Sequence, residues 1–292
     1  MNSMTSYKSS KLYGEVVVPG DKSISHRALI IGSLVTGKIK IKNLLESDDV
    51  IATLEALKTL GIKIKKNKNI WEVFGNGIGN LSGSGLSLDL GNSGTGSRLL
   101  MGLIAGSDVE ATIIGDESLS KRPMKRIIKP LKKTGAVFDD PNNDNLPIKI
   151  KGSKIPLPLE YNSPVASAQI KSSILLAGLS STGNTTIIEP SLSRDHSERM
   201  LKYLGAKIST IQLPDSSWKI TLEGLPMLKP LNIEIPSDPS SAAFPLVASI
   251  ITPNSEIKIL NVCVNDLRMG LYESLIEMGA NISFSNKREI NG

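Results

Sequence analysis

The sequence predicts an α/β protein assembled from one structural unit repeated four times. Three observations carry this. A helix-ending pattern closed by Gly recurs at near-constant spacing. Each copy follows a Ser/Thr/Gly-rich segment that opens an apolar helix. The composition is that of an ordinary globular chain. The pattern reads Leu57-Lys58-Thr59-Leu60-Gly61-Ile62, Leu131-Lys132-Lys133-Thr134-Gly135-Ala136, Leu201-Lys202-Tyr203-Leu204-Gly205-Ala206 and Leu275-Ile276-Glu277-Met278-Gly279-Ala280, with the glycines 74, 70 and 74 residues apart. Gly just past a helix end takes the left-handed turn that closes it. Each is expected to lead into a β-like run, such as Ile62-Lys63-Ile64 or Lys207-Ile208-Ser209. The period is too long for most solenoids, so the units should be globular and packed around shared helices.

The elements follow in order. Residues 15–18 read as a strand broken by Pro19-Gly20. The first helix of each copy begins near residues 22–27, 92–98, 167–171 and 238–243. Ser23 or Ser25 is a candidate cap for the first, Ser167 for the third and Asp238 for the fourth. Branched residues at 39–42, 112–114, 185–188 and 257–260 form the next strands. The second helices start at Ser47-Asp48-Asp49, Ser120-Lys121-Arg122-Pro123, Ser193-Arg194-Asp195 and Asn265-Asp266. Ser, Asn and Asp suit a cap, and Pro123 suits a first helical turn.

Composition excludes several classes. The chain has 292 residues, enough for two domains or one large one at roughly 100–200 residues per domain. With 40% hydrophobic and 21% charged residues, extended disorder is excluded. No apolar run approaches the ~20 residues of a membrane span. One cysteine, Cys263, rules out an internal disulfide, and two histidines leave too few ligands for a Cys/His zinc site. Met1-Asn2-Ser3-Met4 carries no basic-then-apolar signal, so a cytoplasmic location is expected. The net charge of +6 does not indicate nucleic acid, because aromatics are 4% and no Lys/Arg run is interleaved with them. With 26 Lys and 8 Arg, Arg marks places where a planar bidentate donor is wanted.

Most of the arginines sit in the Gly/Ser-rich segments. Gly20-Asp21-Lys22-Ser23-Ile24-Ser25-His26-Arg27 offers a helix N-terminus, a hydroxyl and two cations, which suits a phosphate or carboxylate. It lacks the spacing of a Walker loop. Gly91-Asn92-Ser93-Gly94-Thr95-Gly96-Ser97-Arg98 allows close backbone approach to a ligand. Arg122 places a cation at the positive end of a predicted helix, a mild penalty that a bound anion would remove. Ser167 and Gln169 offer neutral hydrogen bonds. Ser193-Arg194-Asp195-His196 lacks a nucleophile elbow and reads as a capped helix with a solvated His. If the units are equivalent, these helix ends gather on one side. The resulting site would take ligands with several negative charges.

Together, residues 20–27, 91–98, Ser120-Lys121-Arg122-Pro123-Met124 and Ser193-Arg194-Asp195-His196 resemble the 5-enolpyruvylshikimate-3-phosphate synthase family, in its bacterial class II form, from about Gly14 onward. The resemblance implies the enolpyruvyl transferase fold of six βαβαββ units, of which about four are present here. It implies a complete first domain at residues 20–235, with 1–19 and 236–292 as part of a second. The implied reaction moves the enolpyruvyl group of phosphoenolpyruvate onto the 5-hydroxyl of shikimate 3-phosphate and needs no metal or organic cofactor. By motif, Lys22, Ser23, Arg27, Ser167, Ala168, Gln169 and Arg194 would hold shikimate 3-phosphate. Lys22, Gly94, Arg122 and Gln169 would line the phosphoenolpyruvate site, and Gly94 stands where the family gates glyphosate.

The resemblance places the family's catalytic Asp, its Lys–Glu pair and two further substrate-binding arginines in the fifth and sixth units, beyond Gly292. The chain is therefore expected to be an N-terminal fragment, inactive alone. The family is monomeric, and an unfinished half-domain is expected to self-associate. Nucleic acid and membranes are not expected partners. UDP-N-acetylglucosamine enolpyruvyl transferase is the nearest alternative. That family has Asn after the N-terminal Lys and a reactive loop Cys. Here Ser23 follows Lys22, and Cys263 lies in the apolar Leu260-Asn261-Val262-Cys263-Val264 stretch. A non-catalytic anion-binding module is the alternative outside enzymes.

Overall fold

The computed structural model describes residues 5, 7–140 and 144–292, so the Met1–Met4 opening, on which the expectation about a signal rests, lies outside the described residues. The chain forms two compact units. One holds the residues up to Asp21 with 236–289, and the other holds 22–235 with 290–292.

Strand β1 (Tyr13–Val16) belongs to the smaller unit, and the chain then enters the larger one with α1 (Lys22–Ser33), β2 (Thr36–Lys42), α2 (Asp48–Thr59), β3 (Lys63–Asn67) and β4 (Ile70–Asn76). The second run is β5 (Leu86–Asp89), α3 (Gly94–Ala105), β6 (Glu110–Ile114), α4 (Glu117–Ser120), α5 (Lys125–Lys132), β7 (Val137–Phe138) and β8 (Ile148–Lys151). The third is β9 (Glu160–Asn162), α6 (Ala168–Gly178), β10 (Asn184–Glu189), α7 (His196–Tyr203), β11 (Ile208–Gln212) and β12 (Trp218–Glu223), followed by β13 (Ile233–Glu234).

Each run makes a four-stranded sheet of the same order: β13-β2-β4-β3, β5-β6-β8-β7 and β9-β10-β12-β11. In each sheet one pair is parallel and two are antiparallel. The parallel pair needs a long crossover, and in the second and third sheets the first helix of the run supplies it. The first sheet closes differently. Its parallel strand is β13, from the far end of the unit, with Ile233 opposite Ile41. Strand β2 shows why these sheets form. Lys38, Lys40 and Lys42 face out while Ile39 and Ile41 are fully buried, the period-2 pattern of a one-sided strand. The pairing also places the Lys38 and Lys63 ammonium groups over the Phe74 ring, at 5.9 and 5.3 Å from its centroid. The linear sequence shows no such interleaving of cations and aromatic rings.

Helices α1, α3 and α6 supply the centre of the larger unit. Leu29, Ile30, Leu99, Leu100, Ile104, Ile174 and Leu175 are fully buried in one cluster. A helix apolar on all sides has no wet face and must be enclosed. The α3–α6 approach is closer than most side chains allow. A Cβ on Gly102 would stand 2.2 Å from the Ser173 carbonyl oxygen, so any residue but Gly would force the helices apart. The repeat glycines Gly61, Gly135, Gly205 and Gly279 all have positive φ, between 87° and 101°, as helix-closing residues should.

In the smaller unit β1 pairs in parallel with β14 (Glu256–Ile259), so the chain's first strand joins its last segment. Between them in sequence lies α8 (Pro239–Ile251), capped by the Asp238 carboxylate at 2.7 Å from the Ser240 amide. Arg268 donates to Asp21 at 2.9 Å and to Ser240 at 2.9 Å, and Tyr272 of α9 (Gly270–Glu277) donates to the Pro239 carbonyl at 2.7 Å. Helix α8 is more apolar in sequence than α1, α3 or α6 but is not buried as they are. Phe244 is 79% exposed and Ile251 74%.

Several local readings are corrected. Ser23 and Ser25 do not cap α1. The helix already begins at Lys22, and both hydroxyls are committed elsewhere, Ser23 to Arg27 and Ser25 to the Leu45 amide. The Ser120–Pro123 segment does not open a helix. Asp116 caps the short α4 before it, and α5 begins at Lys125. His196 is not solvated but 5% exposed, because the first turn of α7 is buried from His196 to Glu198. Residues 280–284 form no strand; among the described residues no neighbouring strand pairs with them. No described helix is long and apolar enough to cross a membrane.

Candidate anion-binding site

The sequence-predicted residues all lie in the larger unit, where hydrogen bonds join Ser23 to Arg27 and, through Arg98, Gly94 to Gln169. Arg27 is 2% exposed and joins three helices. Its Nε donates to Ser197 Oγ on α7 at 2.7 Å, Nη1 to Ser23 Oγ on α1 at 2.7 Å, and Nη2 to Ser172 Oγ on α6 at 2.9 Å. Ser172 and Ser197 hydroxyls are themselves 2.7 Å apart. Serine oxygens orient the guanidinium without neutralising it, so these contacts leave its positive charge in place. Burial makes such a node specific in geometry, because any missing partner would be costly.

A second chain of bonds joins α3 to α6. Gln169 Nε2 donates to Thr95 Oγ1 at 3.1 Å, while its Oε1 accepts from Arg98 Nη1 at 3.2 Å. Both helices are capped as local sequence requires. Ser93 Oγ accepts from the Gly96 amide at 3.1 Å, and Ser167 Oγ accepts from the Ile170 amide at 3.4 Å. The cap hydroxyls leave other first-turn N–H groups of these helices for a ligand. Ala168 is buried, and Ser167 and Gln169 are half-buried beside it.

Gly94 lies between two guanidiniums. A Cβ there would stand 3.0 Å from both Arg122 Nη1 and Arg98 Nη1. Arg122 also donates to the side-chain oxygen of Asn92 and to Ser118 Oγ. Burial, and then Arg122 beside it, push the Arg98 guanidinium below its ordinary pKa. Two like charges at this spacing favour a bound anion between them. Arg98 and Asn92 join this group although the motif reading gives neither a ligand role, and Arg in a Lys-rich chain is the signal that points to the first. Lys22 stands at the start of α1, half exposed, and donates to Asp49 of α2 at 3.0 Å. Arg194 is half-buried in the turn before α7.

His26 and Thr53 pack beneath this surface. His26 Nδ1 lies 2.9 Å from Thr53 Oγ1, and Thr53 also bounds Gly96, where a Cβ would come within 2.4 Å of its hydroxyl. Burial first, and then Arg27, lower the His26 pKa to about 3. The unfolded value is near 6.5, so between pH 6.5 and 3 the unfolded chain binds the extra proton. This histidine therefore stabilises the fold less as pH falls through that window, with a limiting loss on the order of 5 kcal/mol. Glu198 acts oppositely: burial holds its carboxyl above the usual range, so its ionisation costs stability as pH rises. Replacing His26→Gln should flatten the acid side of the stability curve. Urea unfolding of both proteins from pH 3.5 to 7 measures it, and parallel curves would contradict the assignment.

The chain is similar to known proteins over nearly its whole length. The family profile described as EPSP synthase (3-phosphoshikimate 1-carboxyvinyltransferase) matches residues 6–291. The 3-phosphoshikimate 1-carboxyvinyltransferase of Parvibaculum lavamentivorans is 50% identical over 292 residues, which is 100% of this chain and 65% of that protein. That of Bartonella henselae is 49% identical over 289 residues, covering 99% and 65%. A solved EPSP synthase from Acinetobacter baumannii superposes with a TM-score of 0.86 at 39% identity, covering 96% of this chain and 62% of that one. The chain thus spans about 65% of the length of the curated relatives it matches. By the family match over nearly its whole length, the chain belongs to the EPSP synthase family.

Proposed function

We propose that this chain carries the substrate-binding part of an enolpyruvyl transfer from phosphoenolpyruvate to the 5-hydroxyl of shikimate 3-phosphate. In that reaction C3 of phosphoenolpyruvate takes a proton and the hydroxyl oxygen bonds to C2. The tetrahedral intermediate then loses the proton and the phosphate. Lys22, Ser23, Arg27, Ser167, Ala168, Gln169 and Arg194 hold shikimate 3-phosphate in this reading. Lys22, Gly94, Arg122 and Gln169 hold phosphoenolpyruvate. Residues 20–235 act as one domain, with 1–19 and 236–292 contributing to another, and the protein works in the cytoplasm.

One observation supports this most: two hydrogen-bonded chains, through Arg27 and through Gln169, draw together the N-terminal ends of α1, α3, α6 and α7. Each substrate carries a phosphate and a carboxylate, and helix N-termini with arginines suit both groups. Lys22 would exchange Asp49 for the ligand.

Calorimetric titration tests the reading. Shikimate 3-phosphate should bind and UDP-N-acetylglucosamine should not. Lys22→Met should weaken binding about tenfold, the worth of one hydrogen bond to a charged group. Its melting temperature should hardly move, since an exposed ion pair is worth about 0–1 kcal/mol. The motif reading places the proton-transfer groups outside these segments, so binding is expected without phosphate release. Affinity for neither ligand, or for the UDP-sugar alone, would contradict the proposal.

We propose, too, that the uncovered apolar side of α8 makes this chain self-associate. Phe244→Ser with Ile251→Ser should lower the mass seen by light scattering toward that of the monomer. A wild-type chain already monomeric at high concentration would contradict this.

A further inference from the structure

Beneath the ends of α6 and α7 lies a group of ionisable side chains that the motifs do not mark. Lys171 and Glu189 are each 1% exposed, and Glu198 is 5% exposed. Three oxygens surround the Lys171 ammonium, two of them as hydrogen-bond acceptors. Nζ lies 2.8 Å from Glu189 Oε1, 3.0 Å from the Ser193 carbonyl oxygen and 2.7 Å from Glu198 Oε1. The Glu198 contact is off the axis of a hydrogen bond and is chiefly coulombic. Glu189 returns to the same turn: Oε1 accepts from the Ser193 amide at 2.9 Å and Oε2 from Ser193 Oγ at 2.7 Å. Ser193 is thus held by its N–H, its hydroxyl and its carbonyl.

The position of this cluster matters more than its charge. Lys171 lies one turn along α6 from Ser167, whose carbonyl accepts its amide at 3.0 Å. Its neighbour Ser172 and Glu198's neighbour Ser197 are the two hydroxyls that hold Arg27 across the helices. Arg194 follows Ser193 directly. Buried ion pairs add little net stability, because desolvation offsets their attraction, and apolar residues of the same volume often serve as well. The gain from such a cluster is therefore a fixed geometry.

We propose that Lys171 and Glu189 are positioning residues that lock the 190–195 turn, and with it Arg194, in register with the Ser167–Gln169 end of α6, and so set the affinity for a phosphorylated, carboxylate-bearing substrate. This rests on the substrate reading above for its ligand. It does not rest on it for the clamp itself.

The experiment pairs amide hydrogen exchange at residues 190–195 with titration by shikimate 3-phosphate. The double variant Lys171→Met/Glu189→Met fills the space without charge and leaves Glu198 to take a proton. It should melt near the wild-type temperature, lose protection at the Ser193 amide, and bind about tenfold more weakly or worse, as expected when a binding group shifts by an ångström. Ser193→Ala, a milder change, should show the same pattern in part, and Ser193→Thr should restore both readings. Folded variants that keep the protection, or that bind as tightly as wild type, overturn the proposal. If the wild-type chain shows no affinity, the substrate reading fails. The clamp is then decided by exchange alone, with unchanged protection overturning it.

Discussion

The buried guanidinium of Arg27 ties the larger unit together where ligand chemistry would occur. It reaches α1, α6 and α7 at 2.7–2.9 Å through three serine hydroxyls. Those helices come from the first and third runs of the chain, 170 residues apart at the widest contact. A cation can be buried this deeply only if its donors are met. The packing of three helices is consequently set by the directions of one planar group. The Ser167 cap, the Gln169 side of the bridge, and Lys171 with Glu198 sit on α6 and α7, two of the elements that this node joins.

Glycine plays the complementary part. Close approach of α3 to α6 at Gly102 brings Gln169 within reach of Thr95 and Arg98. At Gly94 the missing side chain leaves Arg98 and Arg122 facing the same small space. Two guanidiniums so placed repel each other, and an anion between them would relieve that repulsion.

The fold was legible where the signal was local. The four repeat glycines adopt the positive φ that their pattern implies, and Ser167 and Asp238 cap their helices as read, whereas the Ser47 and Asp195 side chains make no cap bond. Reading failed where a side chain answered to a distant partner. Ser23 looks like a cap but serves Arg27, and His196 looks solvated but is buried with the rest of the first turn of α7. Lys171, Glu189 and Glu198 carry no motif at all, since their relation exists only after α6, β10 and α7 have packed. Strand β13 could not be placed either, because nothing in its short sequence says that it replaces β1 beside β2.

The central claim is that the ends of α1, α3, α6 and α7 form one anion-binding site. Amide resonances of the isotope-labelled chain during titration with shikimate 3-phosphate test it most directly. A single saturable transition should shift Ser23, Thr95, Ala168, Gln169 and Arg194 together with one dissociation constant. Shifts that scatter over the lysine-bearing strands, rise without saturating, or leave these helix ends untouched would contradict the account.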